Sequence, residues 1–191
     1  CSNEEAYLFQ KLIRTRFRNN NIDHCTRLCH ASSVAALIEG IGSGAVTATF
    51  NEVEHADVIM IIGANPTENH PVAATFFKQA AKRGAKLIVI DPRGLALREY
   101  ATYMLQFKPA SDVALLNAIM HVIVEEKLYD VQYLQAYTEH FESLKGHLSS
   151  YSPESVADIC GIDAVTIRKV ARDFGRAERA MIFWGMGISQ H

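Results

Sequence analysis

Apolar residues follow two rhythms along this chain. Asp57-Val-Ile-Met-Ile-Ile-Gly63 and Lys86-Leu-Ile-Val-Ile-Asp91 are short and apolar at nearly every position. Runs of that length without alternation predict strands buried on both faces. Between them, Ala73, Phe76, Phe77 and Ala80 recur at helical spacing, with Pro71 fitting the first turn and Gly84 the position after the end. Tyr103 to Phe107 predicts a third, shorter strand, and Ala180-Met-Ile-Phe-Trp184 a last one, with Gly185-Met-Gly187 as its turn. Ser111 is placed to cap a long apolar helix, Asp112 to Lys127. Residues 130–150 read as helical. Ser152-Pro-Glu and Asp163 then start two more helices, the first ended by Gly161, the second lined by Ile167, Val170, Ala171 and Phe174.

The first fifty residues are weaker. Residues 4–18 show Leu8 and Leu12 on one helical face, ended by Asn19-Asn20-Asn21. Val34 to Ile38 predicts a short helix with Ser32 or Ser33 as its cap, followed by a flexible loop, Gly40-Ile-Gly-Ser-Gly44. No strand precedes those glycines, so they make a poor phosphate cradle. The order strand, helix, strand, strand, helices, strand is that of an α/β fold. It predicts an open, doubly wound, mainly parallel sheet with helices on both faces.

Composition narrows the function classes. The 191 residues are 49% hydrophobic and 21% charged, with a net charge of −2, which is globular and forces no basic face for nucleic acid. The basic cluster from Lys11 to Arg18 reads as a solvated face. No apolar run approaches the ~20 residues that span a bilayer, and residues 1–20 have no apolar signal-peptide core. Four irregularly placed cysteines, Cys1, Cys25, Cys29 and Cys160, fit reduced thiols in the cytoplasm better than a disulfide framework. The abrupt start at Cys1 and stop at His191 suggest a piece of a longer protein.

Chemistry concentrates in two places. Three strand-end turns, Gly63-Ala-Asn-Pro, Asp91-Pro-Arg and Gly185-Met-Gly, lie where open α/β sheets bind ligands. Glycine there permits close backbone approach. Asn65 can hydrogen-bond a phosphate or base edge, Asp91 a ribose hydroxyl or base, and Arg93 a phosphate or base face. Each turn alone is ordinary turn chemistry; three together describe a nucleotide-shaped site.

The second place is Cys29-His30, in the run Arg27-Leu-Cys-His-Ala-Ser-Ser-Val. Sequential neighbours diverge, which argues against a cysteine nucleophile with a histidine base. A zinc site could draw on His24, Cys25, Cys29 and His30, but a single local cluster without a distant pair is a weak zinc signature. A buried structural thiol is a third reading. A soft metal bound by the Cys29 thiolate, with His30 as a nearby proton acceptor, fits the adjacency.

Five segments carry a family resemblance: Leu28-Cys-His-Ala-Ser-Ser-Val-Ala, Ile62-Gly-Ala-Asn-Pro-Thr-Glu-Asn-His-Pro, Ile90-Asp-Pro-Arg, Ser111-Asp-Val-Ala-Leu-Leu-Asn-Ala and Trp184-Gly-Met-Gly-Ile-Ser-Gln-His. With them the whole chain resembles the middle part of a molybdopterin-dependent formate dehydrogenase α (catalytic) subunit. The resemblance implies a Rossmann-like domain over residues 51–191 that binds molybdopterin guanine dinucleotide, preceded by a helical and loop segment, residues 1–50, with the Cys-His pair. It implies that Cys29 ligates molybdenum or tungsten within a bis-molybdopterin guanine dinucleotide cofactor, and that His30 handles the proton as formate becomes carbon dioxide. Gly63, Asn65, Glu68, Asp91, Arg93, Ser111 and Asp112 would contact one dinucleotide. Gly185, Met186, Gly187 and Gln190 would line a further part of the cofactor.

Two positions depart from the family pattern. Ala110 stands where many members have glycine, and Glu68-Asn69 replaces the Asp-Ser of some relatives. The family's 4Fe-4S cysteines, the lysine between cluster and pterin, and the substrate-orienting arginine would lie outside these residues, so the piece alone would not oxidise formate. The partners implied are formate and electron-transfer subunits with iron-sulfur or flavin centres, with NAD or a quinone chain as final acceptor. Two rivals remain. One is another molybdopterin enzyme, a nitrate reductase or the large subunit of a NADH-quinone oxidoreductase. The other is a nucleotide-binding module without redox chemistry.

Overall fold

The structure is a computed structural model that describes residues 2–190. Cys1 and His191 lie outside the described residues. The chain divides into two compact units, one built on residues 2–46 and one on residues 47–189.

The first unit is three helices. α1 (Asn3–Thr15) opens with a capping box: Ser2 Oγ accepts the Glu5 N–H and the Glu5 carboxylate accepts the Ser2 N–H. α2 (Thr26–Cys29) is a single turn, and α3 (Ala31–Ile41) ends at Gly42. α3 starts at Ala31, ahead of Ser32 and Ser33, the serines expected to cap it. His30 takes the N-cap position without a side-chain cap, because the chain leaves α2 at Cys29 and re-enters a helix one residue later. Gly40 belongs to α3 rather than to a loop. No residue of these three helices is buried. Leu8 and Leu12 of α1, read from the sequence as one apolar helical face, are exposed.

The second unit is the α/β fold. β1 (Val58–Ile62) is followed by one turn of helix, α4 (Pro66–Asn69), and then α5 (Pro71–Lys82). β2 (Lys86–Ile90) and β3 (Tyr103–Leu105) come next. Five helices follow: α6 (Asp112–Glu125), α7 (Val131–Tyr137), α8 (Phe141–Leu148), α9 (Pro153–Cys160) and α10 (Ala164–Gly175). β4 (Ala180–Trp184) and the single turn α11 (Met186–Ser189) complete it. All strand pairs are parallel, in the order β3-β2-β1-β4. The expected open, parallel, doubly wound sheet is therefore present.

The pleat explains the two apolar runs. Val58, Met60 and Ile62 of β1, with Ile88 and Ile90 of β2, face α6, α9 and α10. Ile59, Ile61, Leu87 and Val89 face α5 and a 3-10 turn at Phe50–His55. Every residue of β1 is buried, so no polar side chain could be placed on either side. On the α5 face, Phe50, Phe77 and Phe183 pack edge to face, with centroids 4.9–5.6 Å apart. On the other face, Arg168 of α10 bonds Glu154 of α9 and Glu125 of α6, and Arg172 makes a bidentate pair with Glu126.

Some local details differ from the pattern reading. β3 stops at Leu105, and 130–150 is two helices with His140 between them at φ 60°. The stretches read as turns at residues 64–67 and 185–187 lead into one-turn helices, too short to show any period. Asp163 and Ser152 cap as expected, accepting the N–H of Thr166 and Ser155. Among the described residues no helix is long and apolar enough to cross a membrane.

Candidate cofactor site

The strand order reverses between β1 and β4, and such switch points open a crevice at the carboxyl ends of the strands. There the two chain segments cross with almost no space between them. Gly63 N donates to Ile90 O at 3.0 Å, Gly185 N to Ile62 O at 3.2 Å and Gly187 N to Gly63 O at 3.0 Å. A Cβ on Gly63 would sit 2.7 Å from Gly187 C, and one on Gly185 2.7 Å from Gly63 O. Gly63 also has φ 58°. These three glycines, read from sequence as points of ligand approach, here let two backbones meet each other.

Polar burial marks the same edge. Among the described residues six polar ones are buried: Asn65, Asp91, Ser111, Asp112, Asn117 and Ser189. All but Asn117 lie beyond the carboxyl end of a strand: Asn65 after β1, Asp91 after β2, Ser111 and Asp112 after β3, Ser189 within α11 after β4. Burying polar groups costs free energy unless they are bonded, so their gathering on one edge sets that edge apart chemically. At the opposite end of the sheet, a cavity of about 340 Å³ is lined by Glu54, His55, Asp57, Arg83 and Arg179.

The local bonds show what holds each group. Asn65 Oδ1 accepts from the Thr67 hydroxyl at 2.6 Å, and its backbone carbonyl accepts the N–H groups of Glu68 and Asn69. Asp91 Oδ1 accepts from Arg93 N at 2.9 Å and Arg93 Nε at 3.3 Å. The Asp91 side chain is 5% exposed and that of Arg93 69%, so a buried carboxylate is neutralised by an arginine at the surface. Asp112 Oδ1 accepts its neighbour's N–H, from Val113, at 2.9 Å. Asp112 sits in the first turn of α6, where the helix dipole favours negative charge.

Ser111 does not cap α6 as expected. Its Oγ donates to Lys108 O at 2.6 Å instead. The turn responsible includes Ala110 at φ 64°, which is the position where the family pattern has glycine. Glu68, Arg93, Met186 and Gln190 are exposed. Thr67 and Ser189 are further polar residues of this edge. Sequence reading missed them, although each lies inside a segment that carried the resemblance.

In the first unit, Cys29 ends α2 and His30 joins it to α3, both half-buried. The Sγ atoms of Cys25 and Cys29 are 3.4 Å apart. The hydrogen bond between the thiols and the nearness of Cys25 push the Cys29 pKa above the ordinary thiol value. That opposes a nucleophilic role, which needs a lowered pKa. The local zinc reading also fails: among the described residues no three His, Cys, Asp or Glu side chains come together to hold a metal ion. His24 is engaged elsewhere, its Nδ1 accepting Thr26 N–H at 3.1 Å.

The second unit thus carries a parallel sheet with a polar carboxyl edge, and the first unit carries a Cys-His pair. The chain belongs to the molybdopterin oxidoreductase family, whose model matches residues 1–191. That family implies a molybdenum or tungsten molybdopterin cofactor. The chain is 43% identical over 190 residues to the F420-dependent formate dehydrogenase subunit alpha of Methanocaldococcus jannaschii, covering all of this chain and 28% of that one. It is 42% identical over 188 residues to formate dehydrogenase H of Escherichia coli, covering 98% and 26%. A nitrate reductase of Symbiobacterium thermophilum is 37% identical over 199 residues, covering 98% and 26%. Among solved structures, acetylene hydratase from Pelobacter acetylenicus matches with a TM-score of 0.76 and 30% identity, over 86% of this chain and 22% of that one. The chain thus spans 22–28% of the length of these proteins.

Proposed function

We propose that this chain is part of the catalytic subunit of a formate dehydrogenase, where it ligates the metal and holds one dinucleotide arm of the cofactor. The observation that carries the reading is the Cys29-His30 pair in a chain over 40% identical to two formate dehydrogenases along nearly its full length.

The donor set fits the group. Cys29 supplies a soft thiolate, which metal binding would deprotonate. Asn65, Asp91, Ser111 and Asp112 supply buried hydrogen-bonding groups for hydroxyls and base N–H groups. Arg93 adds a cation for phosphate, and Glu68 an exposed carboxylate able to accept from a ribose hydroxyl. Gly63, Gly185 and Gly187 keep the edge low, and Met186 and Gln190 are exposed. When bound, the cofactor supplies a metal centre that takes two electrons from formate. His30 accepts the proton on an imidazole nitrogen and passes it to solvent. The cofactor's second arm, a 4Fe-4S cluster and partner subunits with iron-sulfur or flavin centres would carry electrons to NAD or a quinone, in the cytoplasm.

A second reading has support: the Symbiobacterium relative is a nitrate reductase, and a hydratase shares the fold, so the fold alone does not select the reaction. The test uses the full-length protein with a viologen dye. Dye reduction by formate, lost in Cys29→Ser, is the expected result. Nitrate-dependent oxidation of reduced dye, with none reduced by formate, would replace this reading with the second. Wild-type formate activity in Cys29→Ser would remove the ligand assignment.

A further inference from the structure

Cys25 has no role in the function proposed above, yet its Sγ lies 3.4 Å from that of Cys29, and no disulfide joins them. Cys25 has helical backbone angles, φ −50° and ψ −37°, and its carbonyl accepts Cys29 N–H at 3.0 Å. The two residues therefore stack one turn apart on one helix face. Helix geometry sets their Cα atoms about 6.2 Å apart, inside the range that disulfides span. Their Cβ atoms in a regular helix are about 5–6 Å apart, wider than the ~3.8 Å of a disulfide. Closure thus requires that turn to open. α2 is only that turn, four residues with none buried, and the helix is already broken at His30 with φ −132°. Opening it disturbs no core.

We propose that Cys25 and Cys29 close a reversible disulfide whenever Cys29 carries no metal. The pairing rests on the geometry of the two thiols; only its exclusion by metal rests on the ligand role proposed for Cys29. The oxidant is a low-molecular-weight disulfide. One cysteine attacks it, forming a mixed disulfide and releasing a thiol; the other cysteine attacks the protein-bound sulfur and releases the second thiol. Two electrons pass to the oxidant, and the two cysteine protons leave on the released thiols. The closed pair protects Cys29 from irreversible oxidation to sulfinic and sulfonic acids and must be reduced before metal can bind. Cys160 does not compete, because it is fully buried against α6 and α10.

The test uses full-length protein purified from cells that cannot make the pterin, treated with oxidised glutathione, alkylated without reduction and digested with trypsin. Trypsin cuts after Arg27, between the two cysteines, so the disulfide leaves two peptides joined until reduced. Joined peptides are expected in wild type. Cys25→Ser should carry one glutathione on Cys29 instead. Oxidised wild type should take up about tenfold less metal than reduced wild type, a gap that closes when the oxidised protein is reduced with dithiothreitol. Alkylation of both cysteines in treated wild type would overturn the pairing. Equal joining in cofactor-loaded protein would overturn the exclusion, and with it the ligand role of Cys29, while leaving the pairing intact.

Discussion

Gly63→Ala tests how the polar edge is built. The new Cβ would lie 2.7 Å from Gly187 C, 2.9 Å from Gly187 Cα and 2.9 Å from Ile188 N, all backbone atoms. Ordinary carbon contacts are about 3.5–4.0 Å, so the β4–α11 turn must retreat by roughly 0.7 Å or more. That retreat strains two hydrogen bonds, Gly187 N to Gly63 O and Gly185 N to Ile62 O, worth about 1 kcal/mol each. The left-handed φ of 58° adds about 1–2 kcal/mol for a side chain. The loss of unfolded-state freedom returns about 0.4–1 kcal/mol. The net cost is about 2–4 kcal/mol, a fall of about 1–2 M in the urea midpoint. Two controls separate the terms. Gly161→Ala has a similar φ of 74° but meets only the flexible Lys108 side chain, so it should cost about 1 kcal/mol. Gly187→Ala has the crowding without the positive φ, and should cost about 1–3 kcal/mol. Trp184, the chain's single tryptophan, precedes Gly185 and reports the transition by fluorescence, with circular dichroism as a second probe. Equal midpoints for Gly63→Ala and Gly161→Ala would refute the close crossing.

Other substitutions probe the remaining parts. Ala110→Gly should stabilise the chain by up to about 1 kcal/mol in the same urea assay, because it relieves a φ of 64° at a cost in unfolded-state entropy that is smaller. Phe77→Ala, which empties a buried aromatic cluster, should cost about 3–5 kcal/mol by urea unfolding. For Asp173, burial alone would raise the carboxyl pKa, but hydrogen bonds from Lys86 and Tyr103 and the charge of Lys86 outweigh it and lower the value. A lowered folded pKa gives stability that is present above the ordinary aspartate value and lost as pH falls below it. Midpoints measured from pH 6 down to about 3 should therefore drop less in Asp173→Asn than in wild type. Burial and the hydrogen bond to Asp173 raise the Tyr103 pKa, so the pair also loses stability as pH rises above about 10.

The parallel sheet was readable because β1 and β2 are buried on both faces and leave an unbroken apolar run. The helices with Pro or Asp at their starts, α5, α9 and α10, were readable from capping chemistry. One-turn helices such as α4 and α11 have no period to detect. The direction of the Ser111 hydroxyl depends on the turn through Ala110, which no local pattern predicts. In the first unit the apolar spacing of α1 correctly marks a helix, but Leu8 and Leu12 are exposed, because periodicity shows a face and not what covers it. At the candidate site, Asn65 and Asp91 were legible because they directly follow buried strands. The pairing of Asp91 with Arg93 was not, nor was the mutual packing of Gly63 and Gly187, since both depend on distances that sequence does not carry. Cys25 appeared in sequence only as a possible zinc ligand; a thiol one turn from Cys29 is a different chemistry.

The central claim is that Cys29 is the protein's ligand to the metal. X-ray absorption at the metal edge, on full-length wild type and Cys29→Ser loaded with cofactor, tests it most directly. The account predicts that the sulfur shell around the metal loses one scatterer in the variant and gains a lighter one. An unchanged sulfur shell in metal-loaded Cys29→Ser would contradict it.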